Sequence, residues 1–200
     1  MEEKISITGL LPAEICSALE IKPAFRGKQI FSWVSKGAVS FDAMTNLDKT
    51  TRAALSEKAC IYTSKVSKAL HDPDGTIKLQ ITLKDGRAIE TVLLTDREGR
   101  KTACVSCQAG CAMGCAFCQT GKLGLGRNLT AGEIVEEFLL MEKEAGTLDN
   151  IVFMGMGEPL QNISSIRKAV EILTSKDGLP PGCTRSGESG SLHSLHQKGC

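Results

Sequence analysis

The chain has 200 residues, a formal net charge of +1 and 42% apolar residues, a composition typical of a soluble protein with one or two small domains. No segment approaches the roughly 18 to 20 uncharged apolar residues that a membrane-spanning helix needs, and the near-neutral charge carries no general signature of nucleic-acid binding. The first residues are acidic and lack the apolar core of a secretory signal, so the sequence predicts a cytoplasmic protein.

The first 60 or so residues predict a small helical module. Pro12 precedes a helical stretch that runs to Glu20, and proline is tolerated at a helix start. Apolar residues follow a helical repeat across residues 25–36. Asp48 is the predicted N-cap of a third helix through Lys58.

Residues 64–105 predict a β-meander of about three strands. Apolar and polar side chains alternate across residues 76–83, and Asp-Gly turn signals occur at 74–75 and 85–86. Residues 102–106 are predicted to form the first strand of a catalytic barrel. A cysteine-rich loop would follow its C-terminal end, where βα folds place their chemistry.

Two strand–loop–helix units complete the pattern. Thr130 and Glu133 predict a capping box at the start of a helix through Ala145. Residues 150–154 predict a buried parallel strand and residues 163–173 another helix. The predicted fold class is therefore α/β: a small N-terminal helical domain, a short β-meander and the first βα units of an incomplete barrel.

The pattern stops near residue 180. Residues 183–200 are rich in Gly and Ser and have no apolar periodicity, which predicts a disordered tail in which two histidines are not metal ligands. Because two βα units cannot close a barrel, we expect a fragment or a lost reading frame. The predicted domains are residues 1–62, 63–182 and 183–200.

The most informative motif is Cys111, Cys115 and Cys118, with the spacing C-x3-C-x2-C. Five of the nine cysteines lie between Cys104 and Cys118, and such clustering favours metal binding or catalysis over a disulfide framework. Three thiolates can hold three irons of a 4Fe–4S cluster and leave the fourth iron without a protein ligand. The alternatives are a zinc site on Cys104, Cys107, Cys115 and Cys118, a four-cysteine cluster recruiting Cys107, and buried structural thiols.

Further motifs flank these cysteines in order: Ala88-Ile-Glu-Thr-Val-Leu93, Cys104-Val-Ser-Cys107-Gln-Ala-Gly-Cys111, the segment 119–130, and Phe153-Met-Gly-Met-Gly-Glu-Pro-Leu160. Together they resemble the radical S-adenosylmethionine RNA adenine C2 methyltransferases of the RlmN type, which are related to the C8 methyltransferases of the Cfr type. The similarity covers roughly residues 10–180.

The resemblance implies two cofactors, a 4Fe–4S cluster on Cys111, Cys115 and Cys118, and S-adenosylmethionine on its open iron. Phe117 would then lie near the cofactor's adenine. Gly157 and Glu158 would contact its ammonium group, since a carboxylate pairs with an amine and glycine allows close approach. Without the resemblance, Phe117 is equally compatible with loop packing.

The resemblance also implies two catalytic residues. Glu90 would accept a proton from the substrate, although a mid-strand glutamate usually faces solvent. Cys104 would resolve a protein–RNA covalent intermediate, although a buried thiol often serves as a small apolar group. Cys107 occupies a position where the family commonly has serine, and its thiol is interpreted as incidental.

The implied activity is methylation of adenine C2 in 23S ribosomal RNA and transfer RNA through a methyl-cysteine intermediate. The implied partners are these RNAs and a reductant such as flavodoxin, with the protein a monomer, residues 1–62 docking RNA, and a disulfide bond forming in the process. We expect the 200-residue chain alone to be inactive. The alternatives are a non-catalytic RNA-binding or iron–sulfur-binding remnant, or a C8 methyltransferase relative.

Overall fold

A computed structural model describes residues 4–177, which contain nine strands and six α-helices. The strands are β1 (Ile5–Ser6), β2 (Ala59–Cys60), β3 (Lys65–His71), β4 (Ile77–Thr82), β5 (Ala88–Thr95), β6 (Lys101–Cys104), β7 (Gln108–Gly110), β8 (Leu125–Asn128) and β9 (Asn150–Val152). The helices are α1 (Pro12–Ala18), α2 (Phe25–Ser35), α3 (Lys49–Lys58), α4 (Gln119–Lys122), α5 (Ala131–Ala145) and α6 (Ile163–Leu173). The predicted α/β class is confirmed.

The N-terminal module is mostly helical, as predicted. Asp48 caps α3 by accepting a hydrogen bond from the Thr51 amide at 2.8 Å. Helix α1 is shorter than predicted, because the chain turns at Glu20, which has a left-handed φ of 54°. A short parallel pair of strands, β1 and β2, brings the two ends of the module together and was not predicted.

The central sheet has the strand order β3-β4-β5-β6-β9. The first four strands of this order pair antiparallel, each with the next strand along the chain. Strand β6 also pairs parallel with β9, and the connection between these two strands includes helix α5. Within residues 4–177 the sheet is open. The strand predicted over residues 150–154 ends at Val152 and is only half-buried, because β9 lies at the edge of this sheet.

Helix α5 covers one face of the sheet. Leu79 and Ile81 of β4 and Ile89 of β5 are fully buried, and both strands contact α5, whose Ile134 is also fully buried. The capping box predicted for α5 is present, with Thr130 and Glu133 each bound to the other's backbone amide. This apolar layer explains why β4 alternates buried and exposed side chains.

The N-terminal module contacts α5 through a buried carboxylate. Glu136 accepts hydrogen bonds from the Thr8 hydroxyl at 3.0 Å, and from the backbone amides and hydroxyls of Thr63 and Ser64. Thr63 and Ser64 lie directly after the predicted domain boundary. The division at residues 62 and 63 itself stays a prediction, and the tail predicted for residues 183–200 lies outside the described residues.

A partly buried group of ion pairs holds β8 in place. Arg127 donates two hydrogen bonds to Glu133 of α5, at 2.8 and 2.7 Å, and one to Asp85 in the β4–β5 turn at 2.7 Å. A bidentate arginine–carboxylate pair has a defined geometry. Strand β8 is thereby held against both the helix and the sheet. In residues 4–177 we find no helix with the length and hydropathy that a bilayer crossing requires.

Candidate functional site

The three-cysteine motif lies in a loop held by an antiparallel pair of strands, β7 and β8. Cys111 follows β7 directly, and its amide donates to the Gly124 carbonyl at 2.9 Å. The Cys118 amide donates to the Cys115 carbonyl at 3.0 Å, which closes a tight turn between those two cysteines. The sequence predicted the loop but not the strand pair that anchors it.

Gly110 is a position where the backbone requires glycine. Its φ is +87°, and a Cβ added there would overlap the Gly124 carbonyl oxygen. Gly114 also has a positive φ of 61°, but the space around it is open. The end of β7 can therefore approach the backbone at Gly124 only because residue 110 has no side chain.

The three thiols differ in burial, and backbone amides act on the Cys118 thiol. Cys111 is buried, whereas Cys115 and Cys118 are half-buried. Hydrogen bonds from the backbone amides of Gly121 and Thr120 hold the pKa of the Cys118 thiol below its ordinary value. The thiolate is the form that binds metal, so this donor set suits an iron–sulfur cluster.

The zinc alternative requires a different geometry from the cluster. Structural zinc needs four ligands at about 2.3 Å from one ion. Across residues 4–177, no three His, Cys, Asp or Glu side chains converge closely enough to hold one metal ion. A cluster makes a different demand, because each thiolate binds a separate iron.

Cys107 lies in the apolar core and is 2% exposed. Burial raises the pKa of its thiol to about 12. A thiol in this environment is a poor thiolate donor, which favours the interpretation of Cys107 as incidental. None of the seven cysteines in the described part of the chain forms a disulfide bond.

The loop that carries Gly157 and Glu158 packs against Gln108 of β7. Gly157 has a φ of +105°, and an added Cβ would lie 2.6 Å from the Gln108 Cβ. The Glu158 amide donates to the Gln108 side-chain oxygen at 2.9 Å. The Glu158 carboxylate accepts from the Leu160 amide at 3.2 Å and so caps the 3-10 turn that follows.

Ser106 joins the other parts of the site. Its hydroxyl donates to the Glu90 carbonyl at 2.7 Å and accepts from the Met156 amide at 3.0 Å. One fully buried side chain therefore links the strand that carries Glu90 to the loop that carries Gly157. Sequence reasoning missed this residue, although a serine between the apolar Val105 and Cys107 was a signal.

Two amides continue this network and were also missed. Gln108 donates to the Asn128 side-chain oxygen at 2.7 Å, across the β7–β8 pair. The Asn162 amide donates to the carbonyls of Cys107 and Leu129, each at 2.8 Å. Buried polar groups need such partners, and these contacts tie the cysteine loop to the start of α6.

Cys104 is the last residue of β6 and is 9% exposed. It lies opposite Val92 of β5 and Val152 of β9. Burial raises the pKa of its thiol, and the nearby Glu137 carboxyl raises it further. Its placement at a strand end, beside the cysteine loop, agrees with the sequence prediction.

Glu90 is exposed in β5, and its carboxylate lies 2.8 Å from the Lys78 Nζ of β4. Glu90 and Cys104 share a sheet face, because Glu90 is two residues before Val92 and Val92 is opposite Cys104. The structure thus places the two predicted catalytic residues on one side of the sheet, with their side chains on neighbouring strands.

A buried carboxyl lies behind Cys104 on the opposite face. One oxygen of Glu137, on α5, accepts from the Thr91 hydroxyl and from the Ser106 amide, each at 2.9 Å. Its other oxygen is buried without a hydrogen-bond partner. Burial raises the pKa of Glu137 well above its ordinary value. The sequence carried no signal for this residue beyond an acidic position in an apolar helix.

Exposed apolar side chains surround the two loops. Among large apolar residues, those exposed here are Met113, Phe117, Leu123, Leu125, Met154 and Leu160. Phe117 is 86% exposed between two of the cysteines. The Gln161 amide lies 3.4 Å from the Met113 sulfur and links the loops. A flat aromatic ring beside three thiols suits the adenine of an organic cofactor.

Two family models match the chain. The "Ribosomal RNA large subunit methyltransferase N-terminal domain" matches residues 14–61, and the "Radical SAM superfamily" matches residues 105–191. The first match covers α1 to α3, and the second covers the cysteine loop and the Gly157 loop. Ser106 and the Gly157 loop lie within the second match, whereas the strand that carries Glu90 lies between the two matched ranges.

Curated relatives agree with these matches. A probable dual-specificity RNA methyltransferase RlmN from Treponema pallidum is 52% identical over 178 residues, which is 89% of this chain and 52% of the relative. The dual-specificity RNA methyltransferase RlmN from Oleidesulfovibrio alaskensis is 43% identical, over 86% of this chain and 55% of its own. The chain thus spans about half the length of the curated relatives it matches.

A solved structure agrees as well. The crystal structure of a radical SAM methyltransferase from Sphaerobacter thermophilus superposes with a TM-score of 0.80 at 44% identity, covering 87% of this chain and 53% of that one. The sequence motifs, both family models and this structural match all indicate one group of proteins. The chain belongs to the RlmN-type family of radical SAM methyltransferases.

Proposed function

We propose that this chain carries part of the active site of an RNA adenine methyltransferase that uses a 4Fe–4S cluster and S-adenosylmethionine. The observation that supports this most directly is the contact made by Ser106. Its hydroxyl holds the Glu90 strand and the Gly157 loop together next to Cys104. The cluster and S-adenosylmethionine, when bound, supply the radical chemistry that methylation of an electron-poor carbon requires.

The residues around the cysteine loop bind the cofactors in this proposal. Cys111, Cys115 and Cys118 hold three irons, and Phe117 covers the adenine of S-adenosylmethionine. Gly157 lets the backbone approach the cofactor's amino group. The Glu158 carboxylate, which now accepts from the Leu160 amide, pairs with that ammonium group.

The residues on the sheet act on the RNA base. Glu90 accepts the proton that leaves C2 of the adenine, and Lys78 holds its carboxylate in place. In the covalent intermediate, a second cysteine would be joined to the base through its sulfur and the former methyl carbon. The Cys104 thiol, after losing its proton, would attack that sulfur, so that an S–S bond forms and the bond from sulfur to this carbon breaks. The carbon would then take up a proton, and the methylated base would be released. We assign the methyl-carrying role to none of the seven described cysteines. The proposed substrates are 23S ribosomal RNA and transfer RNA, in the cytoplasm, with a flavodoxin-like reductant and a monomeric protein.

The decisive test is spectroscopic. The purified chain is reconstituted anaerobically with iron and sulfide, reduced, and examined by electron paramagnetic resonance with and without S-adenosylmethionine. We expect a 4Fe–4S signal that changes when S-adenosylmethionine is added, because the fourth iron has no protein ligand. A signal that the cofactor leaves unchanged contradicts the proposal, since it means that side chains saturate the cluster.

Two cysteine variants serve as a matched pair. Cys111→Ala should abolish iron binding, whereas Cys107→Ala should retain it, because Cys107 lies in the apolar core. Loss of iron in Cys107→Ala with a folded protein would favour a four-cysteine cluster. RNA affinity that survives in Cys111→Ala without any cluster signal in the parent chain would favour a non-catalytic RNA-binding protein.

A further inference from the structure

The β3–β4–β5 sheet has two different faces. One face carries Leu79, Ile81 and Ile89, which are buried against α5. The opposite face carries Lys78 and Glu90 and continues across the sheet to Cys104. We call this second surface the open face, and it includes Lys78, Gln80 and Thr82 of β4 and their neighbours in register.

A β-bulge in β3 adds two lysines to the open face. In a regular strand, residues three apart point to opposite faces. The register of β3 shifts between Val66 and Lys68, so Lys65 lies opposite Thr82 and Lys68 lies opposite Gln80. Both partners belong to the open face. The bulge therefore places Lys65 and Lys68 on the same side as Lys78.

The part of the open face on β3 is exposed and positively charged. Every residue of β3 is exposed. In the strands of the described sheet, Glu90 is the one carboxylate on this face, and it pairs with Lys78. Over residues 4–177, no carboxylate lies within ion-pair distance of Lys65 or Lys68. Lys65 and Lys68 therefore add two positive charges to this face that no carboxylate of the described strands pairs with.

The position of these lysines relative to Cys104 suggests what they bind. Neighbouring strands lie about 4.8 Å apart, so β3 is about 14 Å from β6 across three strand spacings. A polyanion lying across β3 and β4 would extend toward β5 and β6, the neighbouring strands that carry Glu90 and Cys104. Leu70, opposite Lys78 in register, adds an exposed apolar side chain to this surface.

We propose that the open face, through Lys65 and Lys68, binds the phosphate backbone of RNA and directs a base toward Cys104. This inference rests on the proposed function, because RNA is the polyanion that the proposed reaction requires. The two lysines lie on an exposed strand with no paired carboxylate beside them in the described strands, which suits a negatively charged backbone. An acidic protein partner is the competing outcome that the test distinguishes.

The test measures binding of a fluorescein-labelled RNA stem-loop with an unpaired adenine in its loop, by anisotropy at several salt concentrations. Each lysine that neutralises a phosphate of a single strand contributes about 0.7 to the slope of log affinity against log salt. Lys65→Ala/Lys68→Ala should therefore weaken binding and reduce that slope by about 1.4. Lys143→Ala/Lys176→Ala, which removes two exposed lysines elsewhere, should leave the slope unchanged.

A variant in which residues 65 and 66 are exchanged tests whether RNA binding depends on the side of β3 that carries the lysine or only on its charge. Lys65→Val/Val66→Lys keeps the composition but moves the lysine to the other side of β3, where Val66 is 38% exposed. We expect it to bind RNA as weakly as Lys65→Ala. Binding equal to the parent chain would overturn the proposal, and circular dichroism on each variant checks that the strand is intact.

The remaining outcomes are also decisive. Failure of the parent chain to bind the stem-loop, or an unchanged slope in the double alanine variant, contradicts the proposed surface. Equal displacement of the RNA by polyglutamate would favour an acidic protein partner and count against RNA. The assay needs no cluster and no turnover, so its result is independent of the spectroscopic test of the proposed function.

Discussion

Glu90 and Cys104 lie on the same face of the central sheet, and Ser106 binds the backbone of the strand that carries Glu90. Two interactions therefore fix the position of Glu90 relative to Cys104: the register of β5 against β6, and the hydrogen bond from the buried Ser106 hydroxyl to the Glu90 carbonyl. A base that lies over this face would meet a carboxylate and a thiol on neighbouring strands. Such fixed spacing is what a proton transfer and a thiol attack on one substrate require.

Ser106→Ala should loosen this arrangement. The substitution leaves the Glu90 carbonyl and the Met156 amide without their hydroxyl partner, and unsatisfied buried groups cost about 1–3 kcal/mol each. Urea unfolding should show reduced stability, and hydrogen exchange should show faster exchange of the Met156 amide. Ser67→Ala, which removes an exposed hydroxyl on β3, is the control, and equal effects of the two would argue against a special role for Ser106.

Glu137 should make stability depend on pH. Because burial raises its pKa in the folded protein, the folded state holds the proton more tightly than the unfolded state. The stabilising effect is complete below the ordinary pKa of 4.5 and is lost as the pH rises toward the folded value. Glu137→Gln removes this titration, so its stability relative to the parent should rise with pH, by at most about 1.4 kcal/mol per pH unit. Urea unfolding from about pH 5 to 8 measures this difference, and a constant difference would contradict the prediction.

The same substitution to glutamine at Glu136, the neighbour of Glu137, should destabilise the folded protein. Its two oxygens accept hydrogen bonds from Thr8, Thr63 and Ser64, so a glutamine would place an NH2 group against donors. We expect Glu136→Gln to destabilise the protein by about 3 kcal/mol or more, since several buried donors lose their acceptor. Denaturant unfolding measures the effect. Glu144→Gln, at an exposed site on the same helix, should change stability by less than about 1 kcal/mol.

Gly157→Ala should separate cofactor binding from cluster binding. The new Cβ would lie 2.6 Å from Gln108, and φ is +105°, so the loop must move. Gly157 lies outside the cysteine loop, so we expect normal iron content after reconstitution but a weaker response of the resonance spectrum to S-adenosylmethionine. Gly86→Ala has a similar positive φ of 83° in open space and should respond like the parent. Loss of iron in Gly157→Ala would show that the two loops form one unit.

Local features of the fold could be predicted from sequence because their causes lie within a few residues. Asp48 caps α3 through an amide three residues away, and Thr130 and Glu133 form their capping box over the same interval. The alternation of apolar and polar residues in β4 predicted which side of this strand is buried. The three-cysteine motif likewise depends on spacing within eight residues, and both it and the flanking motifs pointed to the family that the comparisons show.

Tertiary structure alone decided how these pieces meet. Ser106 and Met156 are 50 residues apart, and Thr8 and Glu136 are 128 apart, so no local pattern reports their contact. The bulge that turns Lys65 to the side of Lys78 depends on pairing with another strand, and the burial of Glu136 and Glu137 depends on what packs against α5. The sequence determined the main helices, the strands of the meander, the thiol spacing and the family. Long-range packing determined which residues share a face, because register and burial are properties of distant segments brought together.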